Sequence, residues 1–221
     1  MYLSLTAEGI NAMAGDTEGL EAVYAASNSA GARAAYDKWA ISYDAENIGN
    51  GYRLPGIGAA FFARHVQRDE GRFLDAGCGT GLVGEALSIL GYKGIVGADI
   101  SPQMLESAKR LKVYERLFEH DLGQPFPEED NSFGAVTCFG SLGPGHAPSS
   151  CLQEFIRITR PKGRIILNVR PETFVEQGLK AKMDELTASG QWQLVECSPI
   201  FRPFLLTEPR LHAQIFVYSV A

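Results

Sequence analysis

The chain has 221 residues, 45% of them hydrophobic and 21% charged, an ordinary balance for a globular domain that buries its core without disulfide or metal staples. Acidic residues outnumber basic ones, 26 to 20, and no Lys/Arg-rich block occurs, which argues against a nucleic-acid partner gripped through its phosphates. The N-terminal stretch MYLSLTAEGINAMAGD lacks the basic start and apolar core of a secretory signal, and no apolar run reaches membrane-spanning length.

Residues 1–30 are rich in Ala, Gly, Ser, Asn and acids. They predict a loosely ordered segment with a short helix in TEGLEAVYAAS. Residues 31–221 predict a single domain. In YDKWAISYD, Tyr36, Trp39 and Tyr43 are spaced i, i+3 and i+7, one face of a single helix. Next, RFLDAG, GIVGADI, RLFEHDL, GAVTCFG and RIILNV are short apolar runs that end in polar residues or glycine, and they read as strands. Between them GLVGEALSILG, SPQMLESAKRL and APSSCLQEFIRIT carry helical spacing. Ser101-Pro102 is an N-cap with proline at the first helical position. Pro161-Lys162-Gly163 is expected to close the helix before the fifth strand. A final helix over residues 171–189 precedes two closing strands, QWQLVECSPIF and LHAQIFVYSVA. Alternation of this kind predicts a doubly wound parallel sheet with helices on both faces and ligands at the C-terminal ends of its strands.

The run FLDAGCGTGLVGEAL gathers Gly77, Gly79, Gly81 and Gly84 between the first strand and its helix. Glycine serves a sharp turn, a positive φ or a backbone close to a ligand. A phosphate-binding P-loop needs Lys-Ser/Thr after its last glycine, where Leu82-Val83 stand. A dinucleotide fingerprint needs glycine at 82. The spacing is instead D-x-G-x-G-x-G, led by Asp75. It suits a ligand that needs close backbone approach and an acid to manage an amino group, a tight structural turn being the plain alternative.

LDAGCGTG resembles the first motif of the class I S-adenosylmethionine-dependent methyltransferases, and the likeness runs from about residue 35 to residue 221. Asp99, 24 positions after Asp75, stands where that family's acid accepts from both ribose hydroxyls. Asp121 stands where the family reads the adenine amino group. PKGRIILNV matches the turn into the fifth strand, with Arg164 replacing a commoner second glycine. YDKWAISYD is similar to the Y-D-x-W-A-x-x-Y-D signature of a methyltransferase-like subgroup, and GADISPQMLESA and DLGQPFPEEDNSF follow the same wording.

The resemblance implies an α/β, Rossmann-like doubly wound sheet of seven mostly parallel strands with an antiparallel last strand. It implies S-adenosyl-L-methionine as cofactor and S-adenosyl-L-homocysteine as product. The cofactor would be held by Tyr36, Trp39, Asp75, Gly77, Cys78, Gly79, Asp99, Ile100, Met104, Asp121, Leu122 and Phe139. In this reading the aromatic helix lids the cofactor and offers π-faces to its sulfonium; simple packing on the sheet is the alternative.

Methyl transfer asks mainly for in-line positioning, which contributes on the order of 7–11 kcal/mol. The loop after the fourth strand, CFGSLGPGHAP, lacks the N/D-P-P-Y/F tetrapeptide of members acting on base amines or glutamine amides. With the acidic balance, this points to a small-molecule acceptor bearing an oxygen, nitrogen or sulfur nucleophile. His146 in that loop is the candidate catalytic base, an exposed or helix-entry histidine being the alternative. Cys78, Cys138, Cys151 and Cys197 show no CxxC and no zinc-finger spacing, so reduced thiols in a cytoplasmic protein and no metal are expected. Cys138 is expected to be a buried strand thiol without catalysis. The competing reading is a cofactor-binding module with a regulatory or partner-binding role. A nicotinamide oxidoreductase is disfavoured by Leu82.

Overall fold

The computed structural model describes residues 28–143, 146–176, 178–207 and 211–221, together with 19, 22, 23, 25 and 26. The expected loose N-terminal segment with its short helix falls largely outside them. The chain enters through three helices, α1 (Ser29–Trp39), α2 (Tyr43–Gly49) and α3 (Leu54–His65). It then alternates as β1 (Phe73–Ala76), α4 (Leu82–Ile89), β2 (Ile95–Asp99), α5 (Pro102–Leu111) and β3 (Arg116–Glu119). The second half is β4 (Phe133–Cys138), α6 (Cys151–Ile158), β5 (Thr159–Val169), α7 (Leu179–Ala188), β6 (Trp192–Cys197) and β7 (Gln214–Val220).

The seven strands form one sheet in the order β3-β2-β1-β4-β5-β7-β6. Strands β1 to β5 pair in parallel, and β7 runs antiparallel to both β5 and β6. The expected doubly wound sheet with an antiparallel last strand is therefore what forms. Every residue of β1, β2 and β4 is buried, as required of parallel strands covered on both faces. Along β5 the side chains alternate. Ile165, Leu167 and Val169 join the core under α6 and α7, with Leu152, Phe155 and Leu186. Ile166 faces the other core, with Phe62 of α3 and Val83 and Leu87 of α4. Because β1 has β2 on one side and β4 on the other, the connections diverge there and open a crevice at the strand ends.

Three local expectations are corrected, and one helix was not foreseen. Tyr36, Trp39 and Tyr43 do not share one helix: α1 ends at Trp39, and Tyr43 begins α2. The bend keeps the aromatic contact, with Tyr43 edge-on to Trp39 at 4.6 Å and the Trp39 indole N–H donating to Glu46 Oε2 at 2.6 Å. The segment at 161–163 does not separate helix from strand. β5 already starts at Thr159, and the ladder jumps from Thr159↔Phe133 to Arg164↔Ala135, with Lys162 at φ 65° absorbing the extra residues. The last helix begins at Leu179, after left-handed Gly178 at φ 70°, while residues 171–176 form turns. α3 had no counterpart in the strand-and-motif reading, because LPGIGAAFFARH is apolar on most sides and shows little periodicity.

Candidate active site

The crevice holds a cavity of about 360 Å³, within the range of small-ligand sites. Its floor is the glycine loop after β1. The N–H groups of Gly77 and Cys78 both donate to Ala98 O of β2, at 2.8 and 3.0 Å, folding the loop across the sheet edge. Gly77 has φ 73°, and a Cβ there would overlap Ser141. Gly79 has φ 54°, but a Cβ there would meet nothing within 4 Å. Its bare backbone faces open space.

Asp99 organises the next wall. Its Oδ2 accepts from Gly79 N at 2.8 Å and its Oδ1 from Ser101 N at 2.9 Å. Burial nevertheless pushes its carboxyl up to about 6, against the pull of those hydrogen bonds. Ser101 caps α5 by accepting from Met104 N at 3.1 Å and donates its hydroxyl to Asp37 Oδ1 of α1 at 2.6 Å. A second tie joins Thr80 Oγ1 to Asp44 Oδ1 of α2, also at 2.6 Å. Arg33 and Glu119 add an ion pair at 2.7 Å. The first two helices are thereby strapped across the cavity mouth.

Tyr36, Gly77, Cys78, Gly79, Asp99, Ile100, Met104, Asp121, Leu122, Phe139 and His146 all line this cavity. Two expected cofactor residues do not. Asp75 lies beneath the loop, 1% exposed, and accepts from Tyr114 Oη at 2.7 Å and Thr137 Oγ1 at 3.2 Å. Its burial raises the carboxyl to about 6, opposed by those two donors. Trp39 is turned toward Tyr43 and Glu46 and lines a smaller adjoining chamber of about 60 Å³. Tyr36, Tyr43, Tyr52, Gly140 and His146 border both spaces. At that junction Tyr36 Oη and His146 Nε2 stand 3.3 Å apart. Burial drives the Cys78 and Cys138 thiols well above their usual range, which leaves both poor nucleophiles.

The sequence reading missed Tyr52, Thr80, His120, Gln124 and Ser141 in the cavity wall and Asn168 in the smaller chamber. Asn168 alone carried a signal, a polar residue near the C-terminal end of an apolar strand. Among the described residues no His/Cys/Asp/Glu group is arranged to hold a metal, and no helix is long and apolar enough to cross a membrane.

A family described as a methyltransferase domain matches residues 74–167. Human methyltransferase-like protein 27 is 32% identical over 173 residues, which is 76% of this chain and 70% of that protein. A demethylmenaquinone methyltransferase from Clavibacter sepedonicus is 34% identical, over 53% of this chain and 50% of its own length. Among solved structures, the magnesium protoporphyrin IX methyltransferase of Synechocystis PCC 6803 with bound SAH superposes with a TM-score of 0.60 at 16% identity. That match covers 87% of this chain and 99% of the other; at such identity it speaks to the fold.

Proposed function

The chain belongs to the class I S-adenosylmethionine-dependent methyltransferases, and from that premise we propose that it methylates a small-molecule acceptor, with His146 as the base. S-adenosyl-L-methionine, when bound, supplies an electrophilic methyl group on a sulfonium and leaves as S-adenosyl-L-homocysteine. The cavity residues fit this ligand. Gly79 offers backbone with no side chain in the way, and each Asp99 oxygen keeps a lone pair beyond its backbone bond for a ribose hydroxyl. Asp121 is braced by Gly123 N at 2.8 Å and borders the cavity where an adenine amino group would lie. Tyr36 and Tyr43 bring aromatic rings to the junction with the smaller chamber, the side-chain type that attracts a sulfonium. His146 stands at that junction to take a proton, its ring held through Nε2 by the Tyr36 hydroxyl.

The observation that carries the reading is the shared border of a cofactor-sized cavity and a small second chamber, with His146 and Tyr36 between them. A chamber of about 60 Å³ suits a small acceptor better than a strand of nucleic acid, in keeping with the net charge of −6. All four cysteines are free and three of them are buried, which supports a reducing, cytoplasmic setting.

Calorimetric titration with S-adenosylmethionine, S-adenosylhomocysteine and NAD tests the cofactor. Transfer of labelled methyl to the small-molecule, protein and nucleic-acid fractions of a cell extract tests the acceptor. The expected result is binding of both sulfur compounds but not NAD, with label in the small-molecule fraction. Label confined to protein or nucleic acid overturns the acceptor class; tight homocysteine-product binding without transfer returns the chain to a cofactor-binding module.

A further inference from the structure

One side chain is missing from the inner face of α3. Leu54, Gly58, Ala59 and Phe62 are the buried positions of that helix, and 54, 58 and 62 follow one another at the i, i+4 spacing of a single stripe. Leu54 and Phe62 fill their places with large buried side chains, whereas Gly58 offers none. Glycine in a helix interior weakens the helix relative to alanine, and here the bare position has a steric reason. A Cβ on Gly58 would stand 2.7 Å from Cζ, 2.8 Å from Cε2 and 3.0 Å from Cε1 of Phe139. The tip of the Phe139 ring therefore occupies the space that a side chain at 58 would fill.

Phe139 is also part of the wall of the large cavity, so α3 stands behind that wall. The backbone of Phe139 has little freedom to retreat. It follows the last residue of β4, its carbonyl accepts from Ser141 Oγ at 3.4 Å, and the next residue, Gly140, donates its N–H to Asn168 Oδ1 at 2.7 Å. Elsewhere the ring belongs to a core cluster with Leu54, Phe62, Val83 and Ile166, close packing that yields little. The cavity is the side with free volume. A group pressing on the tip of the ring would drive it there.

We propose that Gly58 is a positioning residue of the cofactor site. By keeping α3 bare at the point where the Phe139 ring ends, it holds that ring out of the cavity and sets the room left for S-adenosylmethionine. The proposal rests on the methyltransferase reading above. Gly58 acts only through Phe139, so its effect is on cofactor affinity, and a smaller side chain at 139 cancels it.

The test is calorimetry with S-adenosylhomocysteine on the wild type, Gly58→Ala, Phe139→Leu, the double variant and Gly56→Ala. The last is a control, because Gly56 is exposed on the same helix and a Cβ there would meet nothing within 4 Å. Gly58→Ala is expected to weaken binding at least about tenfold, and Gly56→Ala to change it less than about twofold. Leucine at 139 lacks the far edge of the ring, so adding Gly58→Ala to Phe139→Leu should cost less than about threefold. That recovery separates positioning from a mere loss of stability, which shortening a core side chain would deepen. A smaller loss in Gly58→Ala overturns the proposal, as does an equal loss in Gly56→Ala. So does a double variant that fails to fold or falls further below Phe139→Leu, and this comparison decides alone if Gly58→Ala by itself does not fold. Failure of the wild type to bind S-adenosylhomocysteine is a distinct result, which overturns the cofactor reading and this proposal with it.

Discussion

Tyr114 donates its hydroxyl to Asp75 at 2.7 Å through space left by two glycines. A Cβ on Gly84 would overlap the Tyr114 ring, and one on Gly97 would come within 3.0 Å of it. Gly84, the last glycine of the run, thus makes room for a ring rather than for a ligand. Asp75 is the residue this arrangement serves. Clamped between Tyr114 and Thr137, it fixes the end of β1 from which the glycine loop departs.

The Asp75 clamp has a pH signature. An unfolded aspartate titrates near the ordinary value, whereas burial raises folded Asp75 to about 6. Between those values the folded state binds more protons than the unfolded one. This group's contribution to stability is therefore full below about pH 4 and is lost as pH rises through about 6. Asp75→Asn removes the titration while keeping the shape. Urea unfolding from pH 4.5 to 8 should show the variant gaining on wild type as pH rises, with most of the gain complete by about pH 7. A constant difference across that range would mean that Asp75 titrates normally in the fold.

How much of this was legible in the chain follows from how locally each feature is encoded. The strands and their order of chemistry were legible because β1, β2 and β4 are short apolar runs ended by glycine or acid. Gly77 and Gly79 announced themselves by spacing, and Asp99 by the resemblance to the methyltransferase family. Tyr114 did not, since it meets Asp75 across 39 positions and nothing in its own neighbourhood marks it. The bend at 40–42 was equally hidden. No glycine or proline breaks the helix there; the break is fixed by Trp39 reaching Glu46, a contact between two helices.

Two substitutions separate contact from space in the cofactor site. Asp99→Ala removes the charged acceptor and also frees Gly79 N and Ser101 N from their bonds. Affinity for S-adenosylhomocysteine should fall about 10- to 100-fold, on the order of 1.5–3 kcal/mol. Gly79→Val acts differently, filling open space and forcing a branched side chain onto φ 54°. It should abolish detectable binding while far-UV circular dichroism stays that of the wild type. Wild-type calorimetric affinity in Asp99→Ala would remove the ribose assignment.

The strap formed by α1 and α2 should respond to the cofactor. Its ties run through Asp37 to Ser101 and through Asp44 to Thr80, and both partners sit next to cavity residues. Ser101 follows the Asp99–Ile100 wall, and Thr80 adjoins Gly79. Ordering that wall should order the strap. Amide exchange over residues 36–43 is expected to slow on adding S-adenosylhomocysteine. In Asp37→Ala the slowing should shrink, with cofactor affinity reduced only several-fold, roughly one hydrogen bond's worth. Exchange that ignores the ligand would return the aromatic segment to plain core packing.

His146 and Tyr36 divide the proton-transfer role in a way that kinetics can resolve. His146 is the group placed to receive the acceptor's proton, and the Tyr36 hydroxyl 3.3 Å from its Nε2 holds the ring in position. His146→Ala should lower kcat roughly 10²–10⁴-fold with cofactor affinity unchanged, the range expected for loss of a general base. Tyr36→Phe keeps the base and the ring face, so its loss should be smaller, about tenfold, one hydrogen bond's worth of positioning. The double variant should be no slower than His146→Ala alone, because a positioning hydroxyl has nothing left to position. If His146→Ala instead raises the acceptor KM and leaves kcat intact, the histidine shapes the rim of the chamber, and alignment of the acceptor nucleophile with the methyl carries the reaction by itself.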